Sequence, residues 1–557
     1  MSEFNLIDEP WISVVTDYKG TTELVSLREF FQNCHNYLDL AGEMPTQNFA
    51  VMRFLLAILH TVFSRYDADG NPYEMVNLNE KMQQVENVDE EYEEEYEDAL
   101  METWESLWKA GKFPKIVIDY LESWHDRFYL FDDDYPFYQV TKETIKNVDV
   151  KFDDNTSDTS TVTPKLINRT ISESNNKDSL FSPKSKENKN ILTNAQITRW
   201  LITFQGISNA SDKKSINKIK GKSIGWIYNL GGVFISSDNL FKTLILNLVL
   251  KHPEPQYNVI QKPCWEFNQV DAYNKYLSNR RIDNIAELYT NWSRLMFYFT
   301  YVGGKKKELY NVRIFRVVKT NSIDSINNFL EPMTIWETDE KNSVPKKHEI
   351  NKATWRSFGL YINQKEKKDI RLPGILDNLE LLKNIDKRNN IIQINSISAI
   401  YGNNASSRVL VNELYDNFKL ELFVATDVLR DGWVGRINNV VDKTIDVVDN
   451  VFGPFVKHIM KIRKIKSSNF YYQYEENLYY ALDKPFRDWL TSIDYKDDKD
   501  EKTDAWYKEL KKITINQAAE IAANSSPRDF EGIIENDSVR NIATAFNFFI
   551  DRIKEKL

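Results

Sequence analysis

The residues best suited to chemistry lie in a lysine-rich segment, residues 205–225, called the lysine loop below. Its sequence is QGISNASDKKSINKIKGKSIG, with a single acid, Asp212, against five lysines: Lys213, Lys214, Lys218, Lys220 and Lys222. Lysine ammonium groups neutralise nucleic-acid phosphates, and glycines at 206, 221 and 225 allow a backbone to approach a ligand closely. The composition therefore predicts a loop that contacts the phosphate backbone of a nucleic acid.

Two motifs in the chain point toward enzymes but are incomplete. Gly221-Lys222-Ser223 ends like a P-loop, yet the pattern requires glycine at position 216, where the chain has Ile216. His125-Asp126 is a pair used by metal-dependent phosphohydrolases, whose chemistry needs further His and Asp ligands. The chain has only six histidines, and none forms a second compact pair. We expect a protein that is not an enzyme and has no metal site or cofactor.

A second candidate for nucleic-acid contact is residues 398–408, SAIYGNNASSR. Gly402, Asn403 and Asn404 tolerate positive φ and favour a tight turn. The flanks, 391–400 and 408–424, are rich in branched and aromatic residues and predict strands. A hairpin with asparagine side chains at its tip could insert between bases or pair with base edges. The alternative is an ordinary hairpin loop.

Two further segments combine positive charge with other recognition features. Lys457, Lys461 and Lys464 share one helical face, and no acid interrupts 457–466. This face is either a phosphate track or simply solvated. Phe181 stands close to Lys184 and Lys186 in a polar stretch, which predicts a loop that orders on RNA or on a protein partner, or a plain mobile loop.

Composition limits the class of protein. The 557 residues are 42% hydrophobic and 13% aromatic, which is enough for large cores, and the net charge of −10 argues against a generic DNA-coating protein. Local basic patches remain effective because screening confines each charge to about 10 Å. Two distant cysteines, no signal peptide and apolar stretches far shorter than the ~20 residues of a membrane span predict a cytoplasmic protein without a membrane partner.

Several elements can be located from pattern alone. Pro45 begins a strong helix at 45–63 with a buried apolar stripe, in which His60 is expected to be a core residue. Ser26 and Glu29 have the spacing of a capping box at the start of another helix. The acidic run at 86–99 predicts a solvated helix face, with a docking surface for a basic partner as the alternative.

The composition changes near residue 427. After it the chain is almost entirely helical in pattern, with helices expected near 433–459, 471–492, 500–523 and 533–556. We therefore predict an α+β protein. A large mixed α/β N-terminal domain, 1–426, carries mobile loops near 141–190 and 205–225, and a C-terminal four-helix bundle follows at 427–557.

Several segments, in order along the chain, resemble one family. They are FNLIDEPWISV at 4–14, GEMPTQNFAVMRFLLAILH at 42–60, WHDRFYLFDDDYPFYQV at 124–140, YTNWSR at 289–294 and YGNN at 401–404. Together they resemble CasA, the large subunit of the type I-E Cascade complex, which is the RNA-guided surveillance complex of bacterial CRISPR immunity. The resemblance implies a large mixed domain, a C-terminal four-helix bundle and a non-enzymatic role.

The resemblance also implies a set of partners: the other Cascade subunits, the 5′ handle of the crRNA, double-stranded target DNA and the helicase-nuclease of the system. In the family, this subunit reads the PAM of duplex DNA from the minor groove. It then helps to open the duplex and provides a platform for the helicase-nuclease. The alternative is a purely structural subunit of a ribonucleoprotein that does not contact DNA.

The family's functional segments fall on particular residues of this chain. Its PAM loop falls on Gly206, Asn209, Ala210, Lys213 and Lys214, with one glycine where relatives have several, so Asn209 or Lys213 would substitute for backbone contacts. Its hairpin-strand lysine corresponds to Arg316 or Lys319. Its wedge falls on Gly402, Asn403 and Asn404, with Asn404 in place of a tip glutamine. Its loop for docking to the complex falls around Phe181, Lys184 and Lys186.

Overall fold

The computed structural model describes residues 3–141, 143–144, 160–171, 173, 181–185, 188–207, 224–228, 230–277, 282–300, 313–320, 323, 329–338, 343–349, 352–362, 370–382, 390–401, 410–429, 431–535 and 538–557. The chain forms two compact units. The first contains Met1–His348, Asp369–Leu381 and Asn395–Tyr415. The second contains Glu349–Lys368, Leu382–Ile394 and Asp416–Leu557. The proposed domain boundary at 426/427 stays a prediction.

The first unit is built on the helix Pro45–Phe63, called the core helix below. Proline at its first position suits a helix start, and almost every later residue is buried. Helices Asn194–Ile207 and Ile285–Tyr289 pack against it. The predicted helix is therefore confirmed. Its length and composition would suit a membrane span, but 94% of that apolar window is buried inside the fold, as expected of a core helix.

The predicted capping box is also confirmed. The Glu29 amide donates to Ser26 Oγ at 3.2 Å, and the Ser26 amide donates to Glu29 Oε2 at 2.9 Å, at the start of helix Leu27–Asn33. The remaining α-helices described in the first unit are Glu93–Ala110, Ile116–Ser123, Pro164–Ile167, Leu240–Leu246, Gln269–Leu277 and Asn378–Leu381.

Small sheets surround these helices. Strands Glu3–Asn5 and Tyr129–Phe131 form an antiparallel pair, and Ile12–Val15 lies between Thr22–Val25 and Asp39–Leu40. Strand Arg313–Lys319 lies between Ser160–Val162 and Arg294–Thr300. Strand Trp336–Thr338 lies between Ser343–Pro345 and Ile370–Arg371. In a further sheet, strand Ile391–Tyr401 lies between Leu410–Glu421 and Gly232–Ser236.

The second unit is dominated by four long helical rods. The first comprises Trp433–Val447 and Gly453–Ile462, joined by a π-helical turn at Val448–Phe452; the others are Ser468–Thr491, Lys499–Ala523 and Ile542–Lys556. Their buried aromatic side chains, Phe486, Trp489 and Trp506, pack together, and the Trp506 indole donates to Thr444 Oγ1 at 2.9 Å. The shorter helices are Phe358–Tyr361, Leu422–Thr426 and Pro527–Glu531. The fold is α+β, as predicted, with a helical C-terminal part.

The start of the last predicted helix is wrong. The prediction was a helix at 533–556, but the observed helix is Ile542–Lys556, and the strands Ile533–Glu535 and Ser538–Arg540 pair before it. Branched side chains at 533, 534 and 539 favour strands, and the intervening Asn536-Asp537 is a turn-forming pair in sequence.

Candidate nucleic-acid interface

Of the lysine loop, the structure describes only the two ends, residues 205–207 and 224–225. Asn209, Ala210, Lys213 and Lys214 lie outside the described residues, whereas Gly206 belongs to the last turn of helix Asn194–Ile207. A Cβ atom on Gly225 would lie 2.4 Å from the carbonyl carbon and oxygen of Gly206 and 2.6 Å from the amide nitrogen of Ile207. The two described ends of the lysine loop therefore meet at one point, called the loop neck, which is formed by Gly206, Ile207 and Gly225.

The residue after the loop neck is anchored in a buried ion pair. The Trp226 indole donates to Glu331 Oε2 at 2.7 Å, and the same carboxylate accepts two hydrogen bonds of 2.7 Å from the Arg53 guanidinium. Burial disfavours the charge of Arg53, but the attraction of Glu331 outweighs it and holds the arginine pKa above its usual value. Arg53 also lies 3.9 Å from the ring centroid of Tyr289.

The helix before the loop neck is held by a second buried contact. Gln205 Nε2 donates to the Arg294 carbonyl at 3.0 Å, and Gln205 Oε1 accepts the Arg294 amide at 3.0 Å. The Arg294 guanidinium lies 4.5 Å from the ring centroid of Phe204. Arg294 thus supports the helix before the loop neck, and Tyr289 lies against the Arg53 that pairs with Glu331 on the other side. Sequence reasoning noted the motif at 289–294 only as part of a family resemblance and did not predict its structural role.

The strand Arg313–Lys319 lies beside this support. In its register with Arg294–Thr300, Arg316 is opposite Phe297 and Lys319 is opposite Arg294. The Lys319 backbone is therefore one strand away from the residue that holds Gln205. The structure brings Lys319 close to the loop neck, with Arg316 farther along the same strand.

The predicted hairpin is present as the adjacent strands Ile391–Tyr401 and Leu410–Glu421, while Gly402, Asn403 and Asn404 lie outside the described residues. Within the first unit, Asn395 Nδ2 donates to Ser236 Oγ at 2.9 Å, and the Tyr415 hydroxyl donates to Asn395 Oδ1 at 2.8 Å.

The same hairpin is tied to the start of the core helix. The Thr46 amide, which has no partner within the helix, donates to Glu413 Oε1 at 2.5 Å. Burial of Glu413 raises its pKa despite this hydrogen bond. The core helix, which also supplies Arg53, therefore connects the supports of both candidate DNA-contacting segments.

The segment around Phe181 has a different character. Phe181 is 86% exposed, but Lys184 Nζ donates to the Ile191 carbonyl at 2.6 Å, and burial lowers the pKa of Lys184. Lys189 pairs with the buried Glu173. Lys186 lies outside the described residues. Of the three predicted docking residues, only Phe181 is shown projecting toward solvent.

Lys457, Lys461 and Lys464 are exposed in the second unit. The prediction of one helical face is wrong for Lys464, because the helix Gly453–Ile462 ends before it and its backbone has a positive φ of 54°. The Lys457 ammonium lies 5.0 Å from the Tyr471 ring centroid. The neighbouring Arg463 is engaged within the fold, donating from Nε and Nη2 to the two carboxylate oxygens of Asp529 at 3.0 Å each.

The His125 ring of the His125-Asp126 motif contacts residues near the N-terminus. His125 Nε2 lies 2.7 Å from Asp8 Oδ2, and Nδ1 lies 3.3 Å from Asn5 Nδ2, so both ring nitrogens have neighbours from the N-terminal strand region. Across the described ranges, no three His, Cys, Asp or Glu side chains are grouped as metal ligands would be.

Comparisons with known proteins identify the family. The family model described as CRISPR-associated protein Cse1 matches residues 5–517. CRISPR-associated protein CasA/Cse1 of Thermus thermophilus is 28% identical over 270 residues, an alignment that spans 48% of this chain and 42% of that relative.

Solved structures share the fold over nearly the whole chain. The crystal structure of Thermobifida fusca Cse1 aligns with a TM-score of 0.73 at 20% identity, and the alignment covers 99% of this chain and 98% of that chain. A chain of a structure described as a CRISPR RNA-guided surveillance complex has a TM-score of 0.64 at 14% identity, with 100% coverage of both chains. Because the family model matches most of the length of this chain, the chain belongs to the CRISPR-associated Cse1 family.

Proposed function

We propose that this chain is the non-catalytic large subunit of a type I-E Cascade surveillance complex in the cytoplasm. Its partners are the other Cascade subunits and the 5′ handle of the crRNA. It recognises the PAM in double-stranded DNA through the minor groove, opens the duplex for pairing with the crRNA, and helps to recruit the helicase-nuclease. Family membership supports this role, as does the fold shared with a chain of an RNA-guided surveillance complex.

The observation that carries the DNA-binding part of the proposal is the loop neck. Both ends of a loop with five lysines are fixed on buried contacts, the Arg53–Glu331 pair on one side and Gln205–Arg294 on the other. A fixed base limits the conformational entropy that is lost when a loop binds. The lysines supply phosphate attraction on a protein whose net charge of −10 would otherwise repel DNA.

In this proposal, Gly402, Asn403 and Asn404 form the wedge that separates the first base pair beside the PAM. Minor-groove readout distinguishes mainly A·T from G·C pairs, which suits a permissive PAM. Unstacking one base step costs a few kcal/mol, which phosphate contacts help to offset. The guide RNA then supplies sequence specificity by base pairing.

The role of the lysine loop is tested by the salt dependence of DNA binding. A variant with Lys213→Gln, Lys214→Gln and Lys218→Gln should bind duplex DNA more weakly. The slope of log K against log salt concentration should decrease by nearly one unit for each phosphate that is no longer neutralised. The measurement is fluorescence anisotropy of a labelled duplex between about 50 and 200 mM salt.

A charge-matched control separates local contact from net charge. Lys508→Gln, Lys511→Gln and Lys512→Gln remove the same charge from the helix Lys499–Ala523, outside every candidate surface. This control should keep the parent slope. An unchanged slope in the lysine-loop variant would remove the loop from the DNA surface and favour the purely structural alternative.

A further inference from the structure

The core helix begins without a side-chain cap of its own. Its N-cap residue, Met44, makes no side-chain hydrogen bond to the helix, and its first turn contains no acidic residue. Pro45 has no N–H, and the Gln47 and Asn48 amides both donate to the Met44 carbonyl, at 2.9 and 3.0 Å. Of these described first-turn residues, Thr46 is the one whose amide needs a partner from elsewhere in the chain.

That partner is Glu413, which lies 367 residues later in the sequence and accepts the Thr46 amide on Oε1 at 2.5 Å. Glu413 is the fourth residue of strand Leu410–Glu421, which follows the predicted wedge at 402–404. The partial positive charge of a helix N-terminus favours a carboxylate, so this hydrogen bond is reinforced by electrostatic attraction. A residue of the hairpin therefore completes the first turn of the core helix.

The sheet that contains the hairpin also packs on the start of the core helix. The Phe49 ring, one turn into the helix, lies 5.6 Å from the ring of Phe234 in strand Gly232–Ser236. Gly232 leaves room for Phe49, since a Cβ atom there would lie 2.3 Å from Phe49 Cζ. Asn395, in the strand before the predicted wedge, donates from Nδ2 to the Phe234 carbonyl at 3.3 Å. One strand of the hairpin is thus connected to the core helix directly, and the other through strand Gly232–Ser236.

A wedge between base pairs has to stay in place while it separates them. Unstacking a base step is unfavourable, so the DNA resists whatever keeps the step open. A hairpin that moves instead leaves the bases stacked, and one that is mobile when free loses conformational entropy on binding. Glu413 anchors the hairpin only nine residues after Asn404 in the sequence, which limits both effects.

We propose that Glu413 is a positioning residue for duplex opening. Its hydrogen bond to the Thr46 amide holds the hairpin on the core helix, so that residues 402–404 keep their place when they enter the DNA. This inference rests on the proposed role of 402–404 as the wedge. It assigns Glu413 no contact with DNA, since phosphates repel a carboxylate. The effect of Glu413 should therefore appear only with duplexes that have to be opened.

The test uses the assembled complex and two labelled targets, a fully paired duplex and one already mismatched beside the PAM, with affinity measured by fluorescence anisotropy. Glu413→Ala removes the acceptor. It should weaken binding to the paired target about tenfold, the order expected for loss of a charge-assisted hydrogen bond, and change binding to the mismatched target by less than about twofold.

Two conservative variants separate the hydrogen bond from the charge. Glu413→Gln keeps an acceptor at the same reach and should restore binding to the paired target to within about threefold of the parent. Glu413→Asp keeps the charge but is one methylene shorter, so it should behave like Glu413→Ala, and it replaces that variant in the test if alanine prevents folding. A loss from Glu413→Gln as large as that from Glu413→Ala would overturn the assignment to a hydrogen bond.

Ser26→Ala is the control for a general loss of stability. It removes a hydrogen bond of the same kind, from the Glu29 amide at the start of helix Leu27–Asn33, and should leave both affinities unchanged. The double variant Asn403→Ala, Asn404→Ala reports on the wedge itself. If it loses binding to the paired target only, while Glu413→Ala loses equally on both targets or on neither, the positioning role is overturned and the proposed function stands. If the double variant does not distinguish the targets, the proposed function is overturned, and the positioning role with it.

Discussion

Glycine at position 225 is required by the backbone that it touches. Gly225→Ala would place Cβ 2.4 Å from the Gly206 carbonyl, a contact that can be relieved only by moving the backbone. We expect this substitution to lower the free energy of unfolding by about 1–3 kcal/mol, as overpacking typically does. Urea denaturation followed by tryptophan fluorescence measures the change.

Gly206→Ala is the matched control on the other side of the loop neck. Its Cβ would meet only Ile227 Cδ1, at the ordinary contact distance of 3.7 Å, and alanine is a better helix former than glycine. This variant should be as stable as the parent or slightly more so. Equal destabilisation by both substitutions would show that the two chain ends do not meet as described.

Two buried histidines make the first unit sensitive to acid. Burial lowers the pKa of His60 to about 3 and that of His252 to about 4, and for His60 the positive charges of His252 and Arg53 add to the effect. The unfolded chain binds these protons near pH 6.5, so it is favoured as the pH falls below that value. The two histidines should therefore leave the free energy of unfolding unchanged above pH 6.5 and lower it progressively toward pH 4.

The contribution of His60 can be isolated with His60→Leu. Each histidine adds at most about 1.4 kcal/mol per pH unit to the loss of unfolding free energy, so the variant should show a shallower decline between pH 6.5 and 5. The measurement is urea denaturation at several pH values, with pH 8 as the reference. A decline as steep as that of the parent would show that His60 is protonated in the folded protein.

The segment around Phe181 should contribute to assembly of the complex and not to folding. Phe181 is exposed, and its neighbours Lys184 and Lys189 have intramolecular partners without it. We expect Phe181→Ala to change the unfolding free energy by no more than about 0.5 kcal/mol while weakening incorporation into the complex. Melting temperature and co-purification with the other subunits test both parts. A large fall in melting temperature would make Phe181 a core residue.

Local patterns were sufficient to predict several elements. The core helix has its predicted bounds because Pro45 marks its start and apolar residues recur at helical spacing. Ser26 and Glu29 form the predicted capping box because that motif depends on only four consecutive residues. The strands at 533–540 were missed because a helical pattern on either side outweighed the branched residues and the Asn-Asp pair between them.

The candidate interface could be predicted only in part. The lysine loop and the strands around 402–404 follow from charge and local propensity. The contacts that hold them in position join residues far apart in sequence, such as Arg53 with Glu331 and Thr46 with Glu413. Single-sequence patterns contain no information on such pairings.

In the proposed function, local basic segments of an acidic protein recognise DNA. The net charge of −10 should keep non-specific DNA binding by the isolated chain weak and strongly dependent on salt. The assembled complex would then gain its specificity from the PAM and from guide pairing, since phosphate contacts alone carry no sequence information.

The central claim, that residues 402–404 open the duplex beside the PAM, is tested by the double variant Asn403→Ala, Asn404→Ala in the assembled complex. Binding is measured to two targets, a fully paired duplex and one already mismatched next to the PAM. The account predicts weaker binding to the paired target by an amount comparable to the few kcal/mol of unstacking, and almost normal binding to the mismatched one. Equal losses on both targets, or no loss on either, would contradict it.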